Sequence, residues 1–153
     1  MKYSIRSMAA RDIDQVLALE KSIPEVPHWG FSAYKQRLSE NGAGFIAESD
    51  GHLLGFSIAK QVVNVCELES IAVTPEARGQ GGGKALFHAV VEWAQLRSAV
   101  RLELEVRASN HRAIRFYDRM GMRREGLRRQ YYSFPEEDAV LMGMPLSTGG
   151  KLS

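Results

Sequence analysis

Residues Arg78–Lys84 read RGQGGGK, and Leu86, Phe87, Val90, Val91 and Ala94 follow at helical spacing. Glycines packed at the mouth of a helix let backbone N–H groups approach a ligand closely, and the positive end of the helix favours an anion there, commonly a phosphate. Lys84 adds a flexible point charge. Carboxylates form a second group: Glu67 and Glu69 share a face of the strand pattern CELESIAV, and Glu103 and Glu105 share one in RLELEV. Each is able to take a proton or orient a water, and each is equally explained as a strand carboxylate paired with an arginine. Tyr117 stands seven residues beyond Asn110, in a row with Ala113, Phe116 and Met120. Its phenol is protonated at neutral pH and able to donate, although an aromatic in such a row also reads as core.

These residues need elements to position them. YSIRS reads as a strand, and IDQVLALEKSI reads as a helix capped by Asp12, with Ile13, Val16, Leu17 and Ile23 on one side and Pro24 ending it. The loop PEVPHWG leads to a helix over Ser32–Glu40, and GFIAESDGHLLGFSIAKQVV forms a hairpin turning at Asp50-Gly51. CELESIAV stops at Thr74-Pro75. After the glycine loop and its helix come the strand RLELEV, a helix over Asn110–Met120 with Gly121 as left-handed C-cap, and strands around Arg124–Tyr132 and Ala139–Met144. The expected class is α+β: a mixed, mainly antiparallel sheet flanked by helices on both faces.

The chain has 153 residues, 44% hydrophobic and 25% charged with a net charge of +2, which fits one folded domain over 1–146 and argues against a disordered or fibrous protein. STGGKLS, 147–153, reads as a flexible tail. Four arginines fall within RREGLRRQYY, read as a solvated strand face rather than a nucleic-acid site, and PEED follows at Pro135–Asp138. The opening MKYSIRS lacks an apolar leader and no apolar run approaches membrane-spanning length, so no membrane contact and a cytoplasmic location are expected. Cys66 is the only cysteine and reads as a buried structural thiol. His28, His52, His88 and His111 show no ligand spacing, so no metal is expected.

The glycine loop is not a Walker A loop, because Arg78 occupies the place of its first glycine and Ala85 that of its hydroxyl residue. A dinucleotide fingerprint begun at Gly79 ends on Lys84, and one begun at Gly81 ends on Leu86, so that reading fails too. Arg78, Gly81 and Gly83, directly after IAVTP, match Arg/Gln-x-x-Gly-x-Gly/Ala and resemble the acetyl-CoA loop of the GNAT N-acetyltransferases. LEVRASNHRAIRFYDRMGM, Leu104–Met122, resembles the segment of that family in which a strand leads through Asn to a helix carrying Tyr. LEVRASN, Tyr117, RRQYY and EDAVLM, with a PHW loop after the first helix, are similar to the RimI-type members.

The resemblance implies a GNAT fold, acetyl-CoA as co-substrate, and acetylation of the N-terminal alanine of a small-subunit ribosomal protein. It implies Glu105 as base, with Glu69 in reserve, and Tyr117 as the acid that protonates the coenzyme A thiolate. Arg78, Gly79, Gln80, Gly81, Gly82, Gly83 and Lys84 would hold the pyrophosphate, and Ile71, Ala72 and Val73 would present backbone to the pantetheine arm. Asn110 would contact the coenzyme, although a helix N-cap explains it completely. Trp29, Glu69, Tyr131 and Tyr132 are the expected wall of a slot for the substrate N-terminus, and Glu25, Glu136, Glu137 and Asp138 are placed to attract a basic peptide. Gly82 departs from the bulkier aliphatic residue common in the family, and the segment between Tyr132 and Glu137 is short for it. Two rival readings stand beside this one: a GNAT acting on a small amine or a lysine side chain, and a non-catalytic acyl-CoA-binding module. Retention of Glu105 and Tyr117 argues against the second rival.

Overall fold

No residue of Val65–Val73 is exposed, buried and half-buried positions alternating along it, so this strand is covered on both faces and lies at the centre of the sheet. The computed structural model describes residues 2–24 and 26–147. Its strands are β1 (Ser4–Ser7), β2 (Gly42–Ser49), β3 (His52–Val62), β4 (Val65–Val73), β5 (Arg101–Arg107), β6 (Arg123–Tyr132) and β7 (Glu137–Pro145). They form one sheet in the order β1-β2-β3-β4-β5-β7-β6. Every neighbouring pair is antiparallel except β4–β5. A parallel pair needs a crossover, and α3 (Gly82–Leu96) supplies it.

The remaining helices are α1 (Ile13–Lys21), α2 (Phe31–Ser39) and α4 (His111–Arg119). Two apolar clusters cover opposite faces of the sheet, as the α+β reading expects. Ile13, Val16, Leu19 and Tyr34 of α1 and α2 pack on Ile46, Phe56, Ile58 and Ala72. Phe87, Val90 and Ala94 of α3 and Ile114 and Tyr117 of α4 pack on Cys66, Leu68, Leu102, Leu104 and Met142.

Two irregularities in β4 shape everything that follows. Ile58 faces Ser70 while Ala59 faces Leu68, so Glu69 is an extra residue on β4, a β-bulge. On its other side β4 pairs with β5 for three rungs only, Val65–Arg101 to Glu67–Glu103. Beyond them the strands part, while β5 continues along β7 to Arg107–Ala139. The sheet is therefore open between Leu68–Val73 and Leu104–Arg107, and the facing backbone edges have no ladder partner there.

Several local expectations hold. Asp50 and Gly51 have φ of 51° and 78°, the paired left-handed conformation of a tight hairpin turn. The Asn110 side chain accepts from the Ala113 N–H at 3.2 Å and caps α4, and Gly121 follows the helix at φ 101°. Asp12 corrects the reading of the first helix. It closes a short 3-10 turn over Ala10–Asp12, its carboxylate accepts from Ala9 N–H at 2.7 Å, and it pairs with Arg6 at 2.8 Å instead of capping α1. The Arg6 guanidinium, on β1, holds the Asp12 carboxyl below the usual carboxylate range. α1 stops at Lys21, and Ile23 is buried as part of the loop. The expected tail falls outside the described residues from position 148 onward.

Candidate active site

A cavity of about 1030 Å³ occupies the opening between β4 and β5. Its lining comes from the segment after α1 (Ile23, Pro24, Val26, Pro27, His28), from Leu68–Val73 of β4, from the glycine loop, from Leu104–Arg107 of β5, from α4, and from Tyr132 and Phe134. Ile71, Ala72, Val73 and Asn110 all line it.

At one end Arg78, Gly79, Gly81, Gly83 and Lys84 face the cavity, whereas Gln80 and Gly82 do not line it. Gly82 begins α3 and is buried, so the orphan N–H groups of the first helical turn lie beside the loop. Gly81 has φ 88°, and a Cβ there would lie 3.1 Å from the Tyr3 hydroxyl, so its backbone conformation and its neighbour both select glycine. Arg112 and Arg119 of α4 also line the cavity. None of Arg78, Lys84, Arg112 and Arg119 makes an ion pair among the described residues, and four uncompensated cations around a glycine loop suit a polyanionic ligand.

The opposite end carries carboxylates and phenols. Glu69 and Glu105 are the carboxylates among the lining residues. Arg37 grips Glu69 through two bonds of 2.5 and 3.1 Å, and Lys60 lies 4.0 Å away. Glu105 is exposed and has no ion-pair partner among the described residues. Glu67 and Glu103 sit where β4 and β5 are still paired, bound to Lys60 at 3.8 Å and Arg101 at 3.1 Å. The strand pattern left four carboxylates equivalent, and the ion pairs separate them: Glu105 is the one in the cavity available to take a proton.

Tyr117 reaches the cavity from α4, 6% exposed, beside Phe116 at 5.3 Å between ring centroids. Burial raises its pKa well above the ordinary phenol value, which keeps the proton in place through the neutral range. Burial, followed by the charge of Glu105, pushes Tyr132 up to about 12. Tyr131 stands outside the lining, and its pKa is raised above the ordinary phenol value, chiefly by the nearby Glu105 carboxylate.

Trp29 is also outside the lining. It packs against Tyr34 at 5.0 Å with the Arg37 guanidinium 5.6 Å from its ring, while Pro27 and His28 face the cavity in its place. The acidic loop is occupied as well: Glu137 accepts from Ser109 N–H at 2.6 Å and from Arg107 at 3.2 Å, and Asp138 accepts from Gln130 N–H at 2.8 Å. Those two carboxylates are engaged within the fold, whereas Glu136 of the same loop is exposed and has no ion-pair partner among the described residues. Glu25 lies outside the described residues. Cys66 is buried and its thiol is pushed up to about 12 by burial, as a structural cysteine should be.

Sequence reasoning missed Ser70, Arg112 and Arg119 as cavity residues. Helical spacing from Asn110 offered a signal for the arginines, but an isolated serine in an apolar strand offers none. Among the described residues no helix is long and apolar enough to cross a membrane.

Comparison with known proteins is consistent across sequence and structure. The acetyltransferase (GNAT) family model matches residues 10–122. A Bacillus subtilis (strain 168) protein, provisionally named a ribosomal protein bS18-alanine N-acetyltransferase, is 37% identical over 148 residues, 95% of this chain and 97% of its own. The ribosomal protein bS18-alanine N-acetyltransferase of Escherichia coli (strain K12) is 31% identical over 146 residues, 94% of this chain and 98% of its own. The crystal structure of the ribosomal-protein-S18-alanine N-acetyltransferase from Escherichia coli superposes with a TM-score of 0.85 at 30% identity, covering 99% of each chain.

Proposed function

This chain belongs to the acetyltransferase (GNAT) family and is an acetyl-CoA-dependent N-acetyltransferase, and from that premise we propose that its acceptor is the N-terminal α-amine of an alanine-initiated ribosomal protein of the small subunit, modified in the cytoplasm. The observation that carries the reading is the opening between β4 and β5, which joins a cationic glycine loop at one end to a carboxylate without an ion pair among the described residues, the buried phenol of Tyr117 and the half-buried phenol of Tyr132 at the other. Acetyl-CoA fits that shape. Its diphosphate suits the Arg78–Lys84 loop at the start of α3. Its diamide arm suits the unpartnered edges at Ile71–Val73, where backbone groups are free to bond it as a third strand would. Its thioester then lies toward Glu105 and Tyr117.

The residues divide the proton handling. An N-terminal amine has a pKa near 8, so part of it is neutral at physiological pH and a carboxylate suffices to take its proton, directly or through water. Glu105 takes that role because Glu69 is held by Arg37. Tyr117 holds a proton at its hydroxyl for the departing thiolate, and its raised pKa keeps it charged with that proton at the pH of the cell. Asn110 fixes the start of α4 and so the direction from which Tyr117 enters.

Incubation with acetyl-CoA and peptides differing at residue one, some carrying internal lysine, with mass spectrometry of the products, tests the reading. Acetylation of alanine-initiated N-termini is expected. Acetylation confined to lysine or to small amines would overturn it.

A further inference from the structure

Ser70 is a polar residue in a place that gives it nothing to bond. It is 6% exposed, its Oγ is buried, and that oxygen has no hydrogen-bond partner among the described residues. Ser57, on the next strand, shows what a buried serine in this sheet ordinarily does: its hydroxyl donates to the Leu86 carbonyl at 3.4 Å. A buried hydroxyl without a partner lowers stability, and native structures keep few such groups without a reason.

Its position supplies the reason. Ser70 follows the bulged Glu69, faces Ile58 across the β3–β4 ladder, and lines the cavity at the start of the opening. Ile58 belongs to the cluster under α1 and α2, so Ser70 lies on that side of the sheet, the side walled by Ile23, Val26, Pro27 and His28. Among the described residues most other polar side chains there are engaged, Glu69 with Arg37, Tyr34 with Glu20, and the His28 ring with the Ile23 carbonyl at 3.3 Å, which leaves Glu105 as the second polar group open to a ligand. A serine hydroxyl turns about one bond among staggered positions, so reaching into the cavity needs no backbone movement.

We infer that the Ser70 hydroxyl binds the acceptor amine, accepting a hydrogen bond from one of its N–H groups and so orienting the nitrogen lone pair toward the thioester. This rests on the reading of the cavity as an acetyl-transfer site but not on which amine is the natural acceptor. The division of labour follows from chemistry. A primary amine poised for attack has N–H groups to be placed, one toward the base Glu105 and one elsewhere, and a neutral hydroxyl accepts from the second without taking its proton. Ser70 keeps its own proton throughout, so its contribution is placement of the nitrogen.

The test compares the parent with Ser70→Ala and Ser70→Cys on whichever amine of the peptide panel the parent acetylates best. If that amine is a lysine, the N-terminal reading falls while the comparison still proceeds. Expected for Ser70→Ala is a fall of about tenfold in kcat/KM for the acceptor, the size of losing one good hydrogen bond. The acetyl-CoA dissociation constant should stay unchanged, and the melting temperature should equal or exceed the parent's, because an unpaired buried hydroxyl has been removed. Ser70→Cys, with similar bulk and a weak hydrogen-bonding group, should lie between. Parental acceptor kinetics in Ser70→Ala would overturn the inference. So would a lowered melting temperature or a weakened acetyl-CoA affinity, which would place the hydroxyl in the structure or in the coenzyme's share of the cavity.

Discussion

The two ends of the cavity are made in different ways. At the glycine loop the groups offered to the proposed ligand are backbone N–H groups of one contiguous segment, with Arg78, Lys84, Arg112 and Arg119 free of ion pairs among the described residues. At the other end the groups are side chains drawn from β4, β5, α4 and β6, and most charges are already neutralised, Glu69 by Arg37 and Glu137 by Arg107. One end offers uncompensated charge to a polyanion. At the other, among the described lining residues, one carboxylate without an ion pair, Glu105, remains beside the buried phenol of Tyr117 and the half-buried phenol of Tyr132. The contrast teaches that binding strength and chemical selectivity are located apart, so that damage at one end should spare the other.

The largest expected effect breaks the loop. Gly81→Val places a β-branched residue at φ 88° and drives its Cβ toward Tyr3, so the loop has to refold. Calorimetry should detect no acetyl-CoA binding while circular dichroism stays that of the parent. Unchanged affinity would move the phosphates elsewhere and dissolve the contrast.

Next in size is the base. Glu105→Gln should lower kcat/KM on the order of 10² to 10³, within the range for general base catalysis, without altering acetyl-CoA affinity. Its single-turnover acetyl-transfer rate should fall in the same proportion, since the missing base acts in the chemical step. Glu69→Gln, already tied to Arg37, should cost less than Glu105→Gln. A parental single-turnover rate in Glu105→Gln would remove Glu105 from the role, and a larger loss in Glu69→Gln would transfer it.

The smallest of the three effects is at the phenol. Tyr117→Phe should lower the single-turnover rate by about 10², the low end for general acids because a thiolate leaves fairly well unaided. The coenzyme dissociation constant and melting temperature should hold, since Phe fills nearly the same volume. The direction of the Tyr117 shift adds a pH criterion. A raised pKa means the proton is lost only above the ordinary phenol range, so the parent should show no alkaline decline from this group below about pH 10. A parental single-turnover rate in the variant would make Tyr117 packing alone.

Legibility follows the same division. The glycine loop, the Asp50-Gly51 turn and the Asn110 cap each depend on residues within a few positions of one another, so local conformational rules suffice to read them. Asp12 looked like a cap because its place before an apolar-periodic run suits one, while the turn over Ala10–Asp12 that brings it against Arg6 of β1 has no pattern of its own. Trp29 looked like a groove residue because its partners Tyr34 and Arg37 come from the next helix. Glu137 looked free because its bond to Ser109 spans the gap between β5 and the β6–β7 turn.

By itself the sequence determined the elements, the glycine loop and a set of candidate proton-handling residues, because backbone propensity, turn chemistry and side-chain chemistry are properties of short segments. Tertiary structure alone decided which carboxylate is free, where β4 and β5 separate, and that Ser70 faces a cavity without a partner. Those depend on a register shift of one residue at Glu69 and on ion pairs between distant positions, and such long-range pairings are set by the packing of the whole sheet and its helices.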